Sequence, residues 1–186
     1  SALHEVVRFA GLTAQELSTL DVAVAVKDWP LRDRILTVLV NNYAGVLDVP
    51  VGDRNPGDYL VWSGLDVPRT YGSPDLEPDV EHFCIAVLML EGLVESAVTA
   101  NWDGLLEKAL DKLTSAYESQ VRVAVKPDDF RIAGPRIEVV KFHGCAVRAR
   151  EHEAEYRRLL IARESQISGW AAQPENESMK KRLEWL

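Results

Sequence analysis

The stretch ESAVTANWDGLLEKAL, Glu95 to Leu110, decides the fold that this sequence predicts. It is apolar up to Thr99, as in a short strand, and it then places apolar residues at the spacing of one helix face. Between the two patterns lie an amide, an indole and a carboxylate, from Asn101, Trp102 and Asp103. A strand that leads into a helix indicates an α/β domain, in which polar residues at the end of a strand can face a ligand.

Further strand and helix patterns continue this alternation along the chain. VRVAV (121–125) and IEVVKF (137–142) are typical of strands. Strands that alternate with helices predict an α/β fold with a mostly parallel sheet flanked by helices. The helix predicted at 79–94 is apolar on most faces, which predicts that it is buried. Other helices are predicted at 103–116, at 151–167 and at the C-terminal end, where Asn176 is available as the N-cap.

The N-terminal part of the chain has a different pattern, helical at first and then irregular. Segment 12–47 is predicted to be helical, with a capping box formed by Thr13 and Glu16. Residues 48–78 are rich in proline and glycine and predict a long irregular loop with one short strand at 59–62. A loop of this length is a functional lid or a mobile linker, and the sequence leaves both readings open.

Length and composition predict one domain and exclude several classes of protein. A chain of 186 residues fits a single domain, with a helical and loop part at 1–78 and an α/β part at 79–186. The net charge is -8, and the basic residues are interleaved with acidic ones, so we expect no nucleic-acid partner. The longest apolar run, CIAVLML, is much shorter than the roughly 20 residues of a membrane span, so no membrane association is expected. Two cysteines fit a reducing cytoplasm.

Two predicted strands end in polar residues that have both functional and structural explanations. Asn101 and Asp103 follow the first strand, and His143 and Gly144 follow the strand at 137–142. In an open α/β sheet such residues can project into one ligand crevice if their strands are neighbours. The alternatives are that Asn101 or Asp103 caps the following helix, that His143 is structural, and that Trp102 belongs to the core.

Together the two strand ends resemble the sirtuin family. Thr99-Ala100-Asn101-Trp102-Asp103-Gly104-Leu105 is similar to the family's T-x-N-x-D-x-L segment, and His143-Gly144 is similar to its second signature. The spacing of the two motifs is closest to that of bacterial sirtuin-like NAD hydrolases of defence systems. The resemblance implies a Rossmann-like NAD-binding sheet and cleavage of the nicotinamide–ribose bond of NAD.

Parts of the family pattern are missing from this sequence. It has no strand followed by a Gly-Ala-Gly phosphate loop and no late Gly-x-Ser-x-x-Asp element. Either these elements lie outside the segment in a longer protein, or the segment is a degenerate copy of the family, and we expect it to hydrolyse NAD weakly by itself. The cysteines of the deacylase zinc module are absent as well, so we expect no bound zinc.

The resemblance implies a role for each of these residues. Asn101 and His143 are implied to be catalytic, the former orienting ribose or water and the latter acting as general base. The implied cofactor-binding residues are Thr99, Asn101, Trp102, Asp103 and Gly144. Two other functions stay open: a non-catalytic NAD or ADP-ribose sensor that controls a partner domain, and a purely structural α/β domain. A homo-oligomer and additional domains are both compatible with the sequence.

Overall fold

The residues of this chain form two compact units. A computed structural model describes residues 11–21, 23–52, 56–131 and 136–185. The first unit extends to Leu65 and includes Ala162–Ile167, and the second consists of Asp66–Ile161 and Ser168–Leu186. No helix within the described ranges is long and apolar enough to cross a membrane.

The first unit consists of short helices around a small apolar core. The capping box predicted at Thr13 and Glu16 is confirmed: each residue's side chain accepts a hydrogen bond from the other's backbone N–H, at 3.2 and 2.8 Å. The predicted helical segment consists of several short helices, and a 3-10 turn at Val26–Asp28 separates the first of them from those that follow Pro30. The helices are α1 (Ala14–Ser18), α2 (Arg32–Asn41) and α3 (Tyr43–Leu47), and their core contains Leu12, Leu20 and Ile35.

The region 48–78 is less irregular than its sequence predicts. The strand predicted at 59–62 is wrong, because Leu60–Gly64 forms a helical turn closed by a 2.8 Å bond from the Leu65 N–H to the Leu60 carbonyl. A helical turn satisfies its own backbone groups, whereas a strand here would need a neighbouring strand to pair with. A short helix, α4 (Val67–Tyr71), follows with a proline in its first turn.

The second unit contains a parallel sheet. Its strands within the described residues are β1 (Ser96–Thr99), β2 (Val121–Ala124) and β3 (Ile137–Lys141), in the order β1-β3-β2. The central strand β3 pairs in parallel with both neighbours, so that Thr99 lies opposite Lys141 and Ala124 lies opposite Val140. The predicted α/β class with a parallel sheet flanked by helices is confirmed, although the sheet is small.

Two helices cover one face of this sheet, α5 (Val80–Leu90) and α6 (Leu105–Leu113). The burial of α5 is one-sided: Ala86 and Met89 are fully buried, but the side chain of Val80 is 72% exposed. The prediction that this helix is buried on most faces is therefore wrong, since a short sheet and one neighbouring helix cover only one side of it. Cys84, which lies on the same helix, is exposed.

The long helix predicted at 151–167 is broken into shorter pieces. Within it lie α9 (Glu153–Tyr156), a 3-10 turn at Arg157–Leu159 and the beginning of α10 (Glu164–Gly169). The helix α8 (Ala146–Glu151) ends where the predicted helix begins, and the short helix α7 (Tyr117–Gln120) lies earlier in the chain. Between α9 and α10, Leu160 has an extended backbone and is buried, and the Ile161 N–H donates to the His143 carbonyl at 3.0 Å. These tertiary contacts outweigh the helix propensity of the sequence.

The last helix, α11 (Glu177–Glu184), packs on the other face of the sheet. Arg182 of α11 donates to Glu138 of β3 at 2.8 Å. Glu138 and Val139 point to opposite faces of the sheet, because successive strand residues alternate, and Val139 belongs to the core beneath α5 and α6. Asn176 is at the N-cap position, as predicted, but its side chain donates to the Trp170 carbonyl at 2.9 Å and does not cap the helix.

Candidate functional site

The two predicted strand ends lie at the same edge of the sheet. Thr99 of β1 and Lys141 of β3 are directly opposite each other, and Asn101 and His143 each lie two residues beyond that pair. Since the strands are parallel neighbours, both following loops leave from the carboxyl edge. The adjacency on which the predicted site depends is therefore confirmed, while the roles of its residues stay predictions.

The loop after β1 is fixed by its own polar contacts. The Thr99 hydroxyl accepts a hydrogen bond from the Asn101 N–H at 2.9 Å. The Asp103 carboxylate accepts one from the Leu105 N–H, the first residue of α6, at 3.1 Å. The N-cap position of α6 is Gly104, so the predicted capping role is met only in part: Asp103, one residue earlier, bonds to the first N–H of the helix.

Asn101 differs from Asp103 in that its side chain is exposed. Its amide forms no hydrogen bond within the part of the chain that the structure describes. An unpaired amide at the carboxyl edge can both donate to and accept from a sugar hydroxyl. Asn101 is thus the residue of this loop whose polar group is available to a ligand.

Trp102 ties this loop to two other segments. Its indole N–H donates to the Ile161 carbonyl at 3.3 Å, and its own carbonyl accepts from the Ala146 N–H at 2.8 Å. The indole also packs edge-on against Tyr71, with ring centroids 5.5 Å apart. The Ile161 N–H in turn donates to the His143 carbonyl. Ile161 therefore bonds to both loops, the one after β1 and the one after β3. Trp102 has a structural role here, and its cofactor-binding role stays a prediction.

Sequence reasoning missed a buried ion pair below the site. Lys141 is fully buried, and its Nζ donates to the Glu107 carboxylate at 2.8 Å and to the Asp103 carbonyl. Burial is the largest single influence on the pKa of Lys141 and would lower it, but the charge and hydrogen bond of Glu107, together with other nearby charges, outweigh burial and raise that pKa above its usual value. The ammonium therefore stays charged and holds the loop from beneath.

A signal for Lys141 was present in the sequence. It shares strand parity with Ile137 and Val139, both of which face the core. A lysine at a core-facing strand position needs an acidic partner, because an isolated buried charge is costly. The structure shows that this partner is Glu107, in the first turn of α6.

His143 is half-buried, and its ring packs edge-on against that of Phe142, with centroids 4.4 Å apart. Burial lowers the pKa of the His143 imidazole, so the neutral form predominates near neutral pH. No hydrogen bond to the ring is present among the described residues. A neutral imidazole with an unpaired ring nitrogen can accept a proton, which is what a general base requires.

Gly144 has a structural reason to be glycine. Its φ is +91°, and a Cβ at this position would collide with the Leu159 carbonyl. Glycine is needed here because the backbone is left-handed and another segment of the same chain approaches closely. A contact between Gly144 and a cofactor stays a prediction.

The helices that follow β1 and β3 have their first N–H groups occupied. The Leu105 N–H at the start of α6 is bonded to Asp103, and the Ala146 N–H at the start of α8 is bonded to the Trp102 carbonyl. Free N–H groups at such helix starts are what binds a pyrophosphate in nucleotide-binding sheets. A phosphate at α6 would also meet the Asp103 carboxylate. The first N–H of each of these two helices is therefore not free to bind a phosphate.

Metal ligands do not cluster in the described part of the chain, where no three His, Cys, Asp or Glu side chains are placed to share an ion. Cys145 is buried at the start of α8, and Cys84 lies on α5. The absence of bound zinc stays a prediction, which metal analysis of the purified protein can test.

Comparison of the chain with models of known families, with curated proteins and with solved structures finds no match. The likeness to sirtuins therefore depends on the two motifs and their order alone.

Proposed function

We propose that this chain supplies the ribose-side half of a sirtuin-like NAD hydrolase, without a zinc module, that cleaves the nicotinamide–ribose bond. One observation carries the proposal: Asn101 and His143 lie at equal offsets beyond a paired position on adjacent parallel strands. The resemblance to hydrolases of defence systems extends the proposal to a cytoplasmic role in bacterial anti-phage defence.

In the proposed reaction the C–N bond between nicotinamide and ribose breaks and its electron pair leaves with nicotinamide. A water oxygen forms the new bond to the ribose carbon, and His143 accepts the proton that the water loses. The products are nicotinamide, ADP-ribose and a proton. Asn101 would orient the ribose hydroxyls or the attacking water, which contributes because the reacting groups must be held within about 3–3.5 Å of each other.

A second candidate function is a sensor that binds NAD or ADP-ribose without turnover and controls a partner domain. The bonded N–H groups of Leu105 and Ala146 support it, because at the described helix starts after β1 and β3 they leave no free first N–H for a pyrophosphate during turnover. Under the hydrolase proposal the pyrophosphate is held by residues outside the segment. The isolated chain would then hydrolyse NAD weakly, and a longer protein that contains it would be active.

Nicotinamide release by that longer protein tests the proposal. His143→Ala is expected to lower kcat by roughly 10²–10⁴-fold with little change in NAD affinity, because a general base acts mainly in the transition state. Asn101→Ala is expected to cost on the order of 10²-fold if it positions ribose or water. His152→Ala, at an exposed histidine after α8, is the matched control.

Two outcomes would contradict the proposed hydrolase activity, and a third would change only where the pyrophosphate is held. Full activity of His143→Ala and Asn101→Ala would remove both residues from the mechanism. Binding of NAD by calorimetry without any nicotinamide release would assign the sensor instead. Robust turnover by residues 1–186 alone would show that the pyrophosphate is held inside this segment.

A further inference from the structure

Helix α5 exposes an apolar face to solvent. Its outward side chains Val80, Ile85, Val87 and Leu88 are 72%, 43%, 46% and 42% exposed, and Leu93, just beyond the helix, is 75% exposed. Cys84 is exposed on the same helix. Positions 80, 84, 87 and 88 are neighbours on a helix surface, so these side chains form one continuous strip.

Such a strip differs from the scattered apolar residues that all protein surfaces carry. Single exposed aliphatic side chains are normal, but contiguous ones mark interaction sites. The opposite side of α5 is anchored by Ala86 and Met89, which are fully buried. The strip is thus held on a fixed helix.

The charges around the strip are mostly negative. Asp79, Glu81, Glu91 and Glu95 are exposed next to it or at its ends. Two basic side chains of the described residues lie near it: His82, whose ring bonds to the Asp79 carboxylate at 2.5 Å, and Arg136, which packs against Gly92 beyond the end of the helix. A partner that covers the strip therefore gains from basic residues at its own rim.

These charges disfavour a second copy of the same chain as the occupant. A two-fold pair through this face brings the same patch, with its exposed Glu81 and Glu91, to both sides of the interface. Like charges brought together in this way repel. The net charge of -8 adds repulsion between copies. An anionic membrane surface is disfavoured for the same reason.

We propose that the outward face of α5, with Leu93, docks an amphipathic helix of a partner protein whose apolar stripe is flanked by lysine or arginine. A helix that lays its apolar side against such a strip is a common mode of peptide recognition. The inference is independent of the proposed NAD chemistry, since α5 carries none of the predicted site residues.

Two synthetic helical peptides with the same leucine stripe, one flanked by lysines and one by glutamates, test the proposal by fluorescence anisotropy. The lysine peptide is expected to bind at least tenfold more tightly than the glutamate peptide, and added salt is expected to reduce the difference. Leu88→Asp is expected to weaken binding at least tenfold. Val40→Asp, at an aliphatic residue of α2 that is 68% exposed, is the control and is expected to have no effect.

A charge reversal separates this docking from non-specific adhesion. The double variant Glu81→Lys/Glu91→Lys is expected to prefer the glutamate peptide, because the rim has changed sign. Equal binding of both peptides, or unchanged binding by a Leu88→Asp variant with a normal thermal melt, would overturn the proposal. A dimer seen by analytical ultracentrifugation and dissolved by Leu88→Asp would also overturn it and assign the strip to a second copy.

Discussion

The central strand β3 carries a buried charge on each of its faces, and the two are neutralised differently. Glu138, 6% exposed, faces α11 and accepts hydrogen bonds from two guanidinium groups, those of Arg122 and Arg182. Lys141, fully buried, faces α6 and has one carboxylate partner, Glu107. Within the described part of the chain, Glu138 therefore has a second partner of opposite charge, and Lys141 does not.

In both groups, burial and the charged partners shift the pKa in opposite directions, and the partners prevail. Burial alone would raise the pKa of Glu138, but the hydrogen bonds from Arg122 and Arg182 outweigh it and hold that pKa below its usual value. At Lys141 the charge and hydrogen bond of Glu107, together with other nearby charges, likewise outweigh burial and raise the pKa. Both groups stay charged, and the difference between them lies in how many partners must be lost before the charge is unpaired.

The Glu138 cluster, with Arg122 and Arg182, and the Lys141 cluster, with Glu107, also differ in which segments of the chain they hold in place. Glu138 lies near the start of β3 and ties α11 to the sheet. Lys141 lies at the carboxyl edge, where its ammonium also binds the Asp103 carbonyl in the loop of the candidate site. The less protected charge is therefore the one that supports the site.

The largest expected effect is at Lys141. Lys141→Met leaves the Glu107 carboxylate buried without its cation, and we expect a loss of about 3–5 kcal/mol in the free energy of unfolding, measured with urea. The control is Lys112→Met, which removes an exposed ion pair with Glu77 and is expected to cost less than about 1 kcal/mol.

A double variant sharpens this prediction. Lys141→Met/Glu107→Leu removes both charges and is expected to recover most of the lost stability, since a buried pair replaced by apolar side chains is often neutral. Equal losses in the single and the double variant would mean that the lysine acts through its packing and not through its charge.

The second expected effect is at Arg182. Arg182→Ala leaves Arg122 bonded to Glu138, so we expect a loss of about 1–2 kcal/mol, between that of an exposed pair and that of a single buried one. Urea unfolding of Arg182→Ala beside Lys141→Met compares the two clusters directly. A loss at Arg182 as large as that at Lys141 would break the comparison, because the second guanidinium would then give no protection.

The sheet could be predicted from sequence because its signals are local. β1 and β3 are short apolar runs that end in polar residues. When two such strands are parallel neighbours in a sheet, their carboxyl ends lie side by side. Apolar alternation also places Lys141 on the core face, but the sequence does not state which carboxylate pairs with it. Pairing depends on how α6 packs, and that is a tertiary property.

Other features could not be predicted because long-range contacts override local preference. The segment 151–167 has strong helix formers, yet Ile161 bonds to the two motif loops through its backbone, which a continuous helix would prevent. The exposure of α5 has a similar origin: its composition indicates burial, but the sheet is too small to cover more than one side. Composition measures a preference for burial, not the area available to provide it.

The third expected effect distinguishes two residues of the loop that Lys141 supports. Asp103→Ala removes the carboxylate that accepts the Leu105 N–H, and we expect a loss of about 1 kcal/mol in the free energy of unfolding. Asn101→Ala is expected to leave stability nearly unchanged, because the Asn101 side chain is exposed. Asp103→Asn keeps a capping oxygen and serves as the control. An early thermal melt of Asn101→Ala would contradict the structural assignment and favour a cap at Asn101.

The smallest expected effect is the pH dependence of stability at His143. Burial lowers the pKa of its imidazole in the folded state, so between that pKa and the unfolded value of about 6.5 the unfolded chain binds more protons. Stability is therefore expected to rise with pH through this window and to level off above it. Neither cluster on β3 titrates here, because the pKa of Glu138 is lowered and that of Lys141 is raised. His143→Gln is expected to flatten the rise in urea unfolding measured between pH 5 and 7, values chosen around the ordinary histidine pKa, while the His152→Gln control keeps it. An unchanged slope in His143→Gln would mean that the imidazole is solvated in the folded protein and is not the neutral base that the proposed reaction requires.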